Sequence, residues 1–202
     1  MYIVREVDDQ KAHAEIEARN ALWLDSYLTQ TIRLSIRPAA RDHSYFTGTF
    51  VRSLNFMATL NLSQEPGALR DDFVHMTGSD HEPPHPDHVR ELFLQFIVDT
   101  NRKWNDSNAI DLAAYILWQI NWLHPFIEGN GRTARAAAYY ALCKKFGQIL
   151  PGRRIMMYFL RELERDYIAA LQAADRSLKA GTLDLSGLSK LITKTLVAQL
   201  RS

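Results

Sequence analysis

The residues from His124 to Arg135 read HPFIEGNGRTAR and bring together an imidazole, a carboxylate, an asparagine between two glycines and two guanidinium groups. Pro125 disfavours helical geometry at His124, so a helix arriving from the N-terminal side ends there and leaves the imidazole at its C-terminus. The negative end of that helix stabilises imidazolium, which suits a base that must accept a proton. Glu128 offers hard oxygen ligands, suited to Mg²⁺ when a phosphate completes the coordination. Gly129, Asn130 and Gly131 can turn successive backbone N–H groups toward one anion. The helix beginning near Arg132 adds its positive end. Arg132 and Arg135, three apart, share a face of it. Helix dipoles disfavour arginine at that end unless an anion is present, so the pair calls for a counter-charge. Phe126 is apolar and reads as the anchor of the loop. Each residue type has ordinary structural uses when it stands alone; the argument for chemistry is their convergence.

The elements that must position this loop can be read on either side. Ile110 to Leu123, IDLAAYILWQINWL, has apolar residues all round the helix, the mark of a segment buried in protein. It falls short of the ~20 residues a bilayer core requires and contains Asp111, Gln119 and Asn121, so it is not a membrane span. Asp106-Ser107 reads as its N-cap. After the loop, Arg132 to Phe146 is helical and closed by Gly147. Earlier, Glu15 to Leu28 and Tyr45 to Leu62 have helical spacing, and Pro66-Gly67 punctuates the chain. Phe73 to Thr77 reads as a short strand, Gly78-Ser79-Asp80 as a turn, and the prolines that follow forbid a helix until Asp87. Two last helices are expected, about Arg154 to Ala180 and Leu185 to Leu200, separated by Gly181. The sum is an all-α fold, a helical bundle around a buried central helix with a small β-hairpin. We read residues 1–202 as a single domain, with N-terminal helices over 1–65, the hairpin and core over 66–150, and C-terminal helices over 151–202.

Composition narrows the classes. The chain has 202 residues, of which 47% are hydrophobic and 10% aromatic, enough for a core. With 24 basic and 23 acidic side chains the net charge is +1, which argues against binding nucleic acid by phosphate neutralisation. A single cysteine, Cys143, excludes an internal disulfide framework and fits a reducing compartment. The N-terminal residues are too polar for a secretory signal, so a cytoplasmic location is expected.

The loop matches a known signature. HPFIEGNGRTAR resembles the motif of the Fic family, His-Pro-Phe-x-(Asp/Glu)-Gly-Asn-Gly-Arg-x-x-Arg, at every specified position. A chance match in a chain of this length has a probability on the order of 10⁻⁹ at average residue frequencies. Gly67-Ala68-Leu69-Arg70 and the segment from Val74 to Pro86 are similar to the family's upstream region, where a glycine and an arginine precede a hairpin flap and a His-x-Pro-Pro stretch. Leu112-Ala113-Ala114 is also similar. The likeness covers roughly Gly67 to Pro151.

The resemblance implies a protein adenylyltransferase, moving AMP from ATP to a Ser, Thr or Tyr hydroxyl of a target protein. It implies that His124 is the general base and that Glu128 holds Mg²⁺ against the phosphates. Gly129, Asn130 and Gly131 would form the anion hole, the Asn130 side chain included. Arg132 and Arg135 would contact the β- and γ-phosphates. The flap, Val74, His75, Met76, Thr77, Gly78 and Ser79, would hold the target by strand addition, which accepts many sequences. Kinase-like relatives resembling Doc carry Lys where Gly131 stands, so glycine favours AMP transfer. Tyr139 departs from the Asn of many relatives near the nucleobase, which leaves the base preference open.

Many Fic proteins are silenced by a helix bearing (Ser/Thr)-x-x-x-Glu-(Gly/Asn), whose glutamate pairs with the last arginine of the motif. The nearest candidate is Glu17, with His13 and Ala18 in place of the expected neighbours. The expectation is therefore inhibition from elsewhere, by a separate inhibitor protein or by self-association, with Glu17 as a degenerate inhibitory glutamate the alternative. Two alternatives to AMP transfer stand beside this reading. One is a different transfer of a phosphate-containing group; the other is a nucleotide- or protein-binding module without transfer. His81-Glu82-Pro83-Pro84-His85 spells a zinc-peptidase pattern, but Pro83 and Pro84 prevent the helix that would place both histidines on one face.

Overall fold

The computed structural model describes residues 10–38, 46–75 and 81–202. Its helices are α1 (Gln10–Ser35), α2 (Gly48–Thr59), α3 (Pro86–Asp106), α4 (Ala109–Leu123), α5 (Asn130–Phe146), α6 (Met156–Glu162), α7 (Glu164–Lys179) and α8 (Ser186–Leu200). Among the described residues there is no strand, and the fold is all-α. Among the described residues no helix is long and apolar enough to cross a membrane.

The centre of the molecule is the α4–α5 pair. In α4, Leu112 to Leu117 and Ile120 are sealed from solvent on every side, as all-round hydrophobicity demands. Helix α5 answers with Ala134, Ala136, Ala137, Ala138 and Ala141, whose small side chains let the two helices lie close. Around the pair, α1, α2 and α6 pack on α5, and α3, α7 and α8 pack on α4. Phe126 is buried between them with its ring edge against Phe93, which fixes the α4–α5 connection to α3. Cys143 is buried in α5, and loss of solvation pushes its thiol up to about 11.

Several boundaries differ from expectation. Helix α3 runs through Asp106, Ser107 closes it, and the N-cap of α4 is Asn108, whose side chain accepts from the Asp111 N–H at 2.9 Å. Asp106-Ser107 is a reasonable cap by composition, but Asn108 is the residue three before that N–H. The long helix expected over 154–180 is broken at Leu163, where φ is −90° and ψ 36°. The flap arms, 71–75 and 81–85, carry no regular secondary structure. Pro83 and Pro84 have no N–H to offer a ladder, and the Asp72 and Pro84 carbonyls are taken by the Arg70 guanidinium. Met76, Thr77, Gly78 and Ser79 lie outside the described residues, as does the expected helix start at Tyr45.

Candidate active site

Helix α4 ends at His124, which takes a left-handed conformation (φ 48°, ψ 58°). For a residue with a Cβ this is costly, roughly 1–2 kcal/mol. The neighbours hold it there: the His124 N–H donates to Ile120 O at 2.9 Å, and the His124 carbonyl accepts from Arg70 Nε at 2.7 Å. The imidazole Nδ1 faces the Asn121 carbonyl at 3.4 Å, which makes Nδ1 the protonated nitrogen and leaves the lone pair on Nε2.

The acid–base expectation for this ring needs correction. The helix end was expected to favour imidazolium. Instead burial, reinforced by the nearby Arg70 and His81, pushes His124 down to about 4 against the opposing pull of the Asn121 carbonyl. The cation that the α4 C-terminus attracts is the Arg70 guanidinium, bonded to its last carbonyls. His124 is thus a neutral base at ordinary pH, with its proton-accepting nitrogen already free.

The loop after His124 is tied to itself. Asn130 Oδ1 accepts from the Phe126 N–H at 3.0 Å, and Asn130 Nδ2 donates to the Phe126 carbonyl at 2.7 Å. This revises the expected role of its side chain. It clasps the loop, so any contribution of Asn130 to an anion comes from its main-chain N–H. Gly129 caps α5 with φ 78°, and a Cβ there would stand 2.4 Å from Thr59 Cγ2, so no other residue fits. From α2, Asn55 Nδ2 donates to the Glu128 carbonyl at 2.8 Å, and Asn55 Oδ1 accepts from the Gly67 N–H at 2.9 Å. Asn55 was missed by sequence reasoning; its signal is a lone buried amide in an apolar helical run.

The two arginines fare differently. Arg132 Nη2 donates to Glu128 Oε1 at 2.7 Å, while its Nη1 lies 3.3 Å from Glu17 Oε1 on α1. The counter-charge the arginine called for is supplied by carboxylates. Arg135 is more deeply placed, hydrogen-bonded with Tyr167 of α7. Burial lowers its pKa, and Arg161 and Arg132 add to the effect.

These groups share one cavity of about 650 Å³. It is lined by His124, the stretch from Ile127 to Arg132, and Arg135; α1 contributes Glu17 and Asp25, and α6 contributes Tyr158 and Arg161. Asp25 accepts a hydrogen bond from the Tyr158 hydroxyl, fastening α1 to α6, and burial raises its pKa. Asn20 fastens the same helix to α2 by donating to Leu60 O at 2.8 Å. Tyr139, the expected departure near a nucleobase, is buried and is not itself among the lining residues, and its hydroxyl accepts from Gln199 at 3.1 Å. Val74 and His75, the described flap residues, do not line the cavity.

Among the described residues no three His, Cys, Asp or Glu side chains cluster as a metal site. His81 and His85 part ways: His81 bonds the Trp122 carbonyl at 2.7 Å and lies 3.4 Å from Asp175, while His85 caps α3. The Glu128 carboxylate, half-exposed in the cavity wall, fits the Mg²⁺ pattern of one protein carboxylate completed by phosphate oxygens.

The family model described as Fic/DOC family matches residues 45–142, which span α2 to α5 and include the whole loop. The chain belongs to the Fic/DOC family. Among curated Fic proteins, it is 36% identical over 72 residues to the Protein adenylyltransferase Fic of Drosophila persimilis. It is 35% identical over 72 residues to that of Drosophila willistoni. Each match spans 35% of this chain and 14% of the relative. Solved structures show the Fic fold over nearly the whole chain. A Fic family protein from Desulfovibrio desulfuricans G20 superposes with a TM-score of 0.64 at 15% identity, covering 98% of this chain and 63% of that one. Fic-1 of C. elegans (residues 134–508) gives 0.69 at 19%, covering 92% and 49%. A Fic domain containing signaling protein from Bacteroides thetaiotaomicron gives 0.67 at 19%, covering 91% and 69%.

Proposed function

We propose that this Fic protein is a protein adenylyltransferase that moves AMP from ATP to a hydroxyl side chain of a target protein. The observation that carries the reading is the neutral His124 imidazole on the wall of the cavity lined by Gly129, Asn130, Gly131, Arg132 and Arg135. In the reaction, Nε2 of His124 takes the proton of the target hydroxyl. The oxygen forms a bond to the α-phosphorus, and the bond from that phosphorus to the pyrophosphate oxygen breaks. The charge that grows on the phosphate oxygens meets the start of α5 and the guanidinium groups of Arg132 and Arg135. A Mg²⁺ held at Glu128 would supply further neutralisation of phosphate charge. His124 holds the accepted proton on Nε2, and Asn121 keeps the ring oriented.

Glu17 qualifies the resting state. Its carboxylate sits at Arg132, a position this mechanism gives to a phosphate. The sequence favoured inhibition from outside the chain, with Glu17 as the alternative; the Glu17–Arg132 pair supports that alternative, and on the first arginine of the motif rather than the last. The flap is proposed to receive the target's main chain.

The test is incubation with Mg²⁺ and ATP labelled at either phosphate, wild type beside His124→Ala. Transfer of α-label by wild type alone is the expected result. Transfer of γ-label would replace the reading by phosphorylation, and ATP binding without label on any protein would replace it by a binding module.

A further inference from the structure

Arg70 is almost fully buried, with 4% of its surface exposed, yet its guanidinium meets main-chain carbonyls rather than a carboxylate. Nε donates to His124 O at 2.7 Å, Nη1 to Asp72 O at 3.0 Å, and Nη2 to Pro84 O at 2.6 Å with Leu123 O at 3.5 Å. The Arg70 N–H adds a bond to Pro125 O at 2.9 Å. One side chain therefore joins the end of α4 to both arms of the flap, Asp72 before it and Pro84 after it. Burying a cation with neutral partners is unfavourable unless the geometry it enforces is needed. A planar fork spreads its donors over three nitrogens, so Nε, Nη1 and Nη2 each meet a different carbonyl; the three donors of a lysine ammonium radiate from one nitrogen and do not reproduce that spacing.

The end of α4 is where that geometry matters. Leu123 and His124 carry terminal carbonyls with no partner inside the helix. His124 is also the residue held in the left-handed region, and its backbone aims the ring.

We infer that Arg70 is a positioning residue for the transfer reaction, its guanidinium fixing the backbone that aims His124 and locking both flap arms to the catalytic loop. The inference rests on the reading of His124 as the base. The groups facing the imidazole are Arg70, His81 from the second flap arm and the Asn121 carbonyl of α4, with Asp175 of α7 behind His81.

The experiment combines kinetics with NMR on the intact chain. In wild type the Arg70 Nε–H should exchange with solvent about 10²-fold more slowly than that of an exposed arginine. In Arg70→Gln, kcat for AMP transfer should fall about 10²-fold, the loss expected when a reacting group is misplaced by about an ångström. KM for ATP should stay within about threefold, because the phosphate-facing residues are untouched. The His124 ring, followed through labelled histidine, should titrate nearer to its ordinary range. Arg70→Lys keeps the charge without the fork, so it should keep the low His124 titration and still lose kcat. A folded Arg70→Gln with wild-type kcat overturns the inference, as does Arg70→Lys with wild-type kcat. Should Arg70→Gln fail to fold, free exchange of the wild-type Nε–H would overturn it and protection would support it. If wild type transfers nothing, the adenylyltransferase reading falls. The exchange and histidine titrations then still decide whether Arg70 governs His124.

Discussion

Glu17 Oε1 lies 3.3 Å from Nη1 of Arg132, so a side chain from the first helix reaches across the cavity to the first arginine of the motif. The pair joins α1, which carries the nearest candidate for an inhibitory glutamate, to the centre of the proposed chemistry. It also places a negative charge where the proposed reaction sets a phosphate.

Replacing that carboxylate should open the site. Glu17→Gly is expected to tighten ATP binding about tenfold, corresponding to roughly 1.4 kcal/mol, and to raise self-modification in parallel. Calorimetry with ATP and Mg²⁺, beside a labelling assay, measures both. Unchanged affinity and unchanged labelling would assign control to a separate protein or to self-association.

Acid should act through His124 in a definite window. Its folded-state pKa is about 4, below the ordinary value of 6.5, so the unfolded chain binds more protons between these values. The contribution of this group to stability is complete above about pH 6.5 and is lost as pH falls toward 4. His124→Asn should therefore lose less stability than wild type across that interval in denaturant titrations. For the free enzyme, the acid limb of kcat/KM should fall well below pH 6 rather than near the usual histidine value. A limb near 6.5 would contradict the burial argument.

Gly129 should tolerate no side chain. Gly129→Ala combines a positive φ with a Cβ 2.4 Å from Thr59 Cγ2, so a loss of about 2 kcal/mol is expected in denaturant unfolding. Gly147→Ala makes the comparison, since φ is also positive there but nothing lies within 4 Å of a new Cβ. A smaller loss at Gly147 would separate crowding from backbone strain.

Asn130→Ala removes both bonds that close the loop on Phe126. Stability should drop by about 1–2 kcal/mol, because the buried Phe126 main-chain groups lose their partner. Transfer should fall with it, since the loop no longer holds its shape. Asn130→Asp separates the two effects: it keeps the acceptor for the Phe126 N–H but sets a carboxylate against the Phe126 carbonyl, and brings negative charge to the anion site. Activity in Asn130→Asp equal to wild type would argue that the clasp is irrelevant to chemistry.

What the sequence made legible was local. The buried helix α4 follows from apolar residues all round, its end from Pro125, and the stop of α5 from Gly147. The loop residues His124 to Arg135 could be assembled into a site because they are consecutive. The rest depended on chain segments far apart in sequence. Glu17 could be picked out only as a degenerate match, with His13 and Ala18 out of pattern, and nothing in the sequence ties it to Arg132 rather than Arg135. The low basicity of His124 could not be read from the dipole of its own helix, because burial outweighs it and Arg70 takes the place of the cation at that helix end. The clasp of Asn130 on Phe126 was hidden because the same side chain is equally apt for an anion. The break at Leu163 has no proline or glycine to announce it; both α6 and α7 pack on α8, but α6 also packs on α5 and α7 on α4.

That break shapes the active site from behind. Tyr158 and Arg161 of α6 look into the cavity, whereas Tyr167 and Asp175 of α7 reach Arg135 and His81. A continuous rod over the same residues would present one stripe and could furnish only one of these two supports. By bending at a single leucine, the chain lets one segment line the cavity while the next braces the motif and the flap arms from outside it. An inserted residue at Leu163 would turn one support out of register with the other while leaving the motif itself intact.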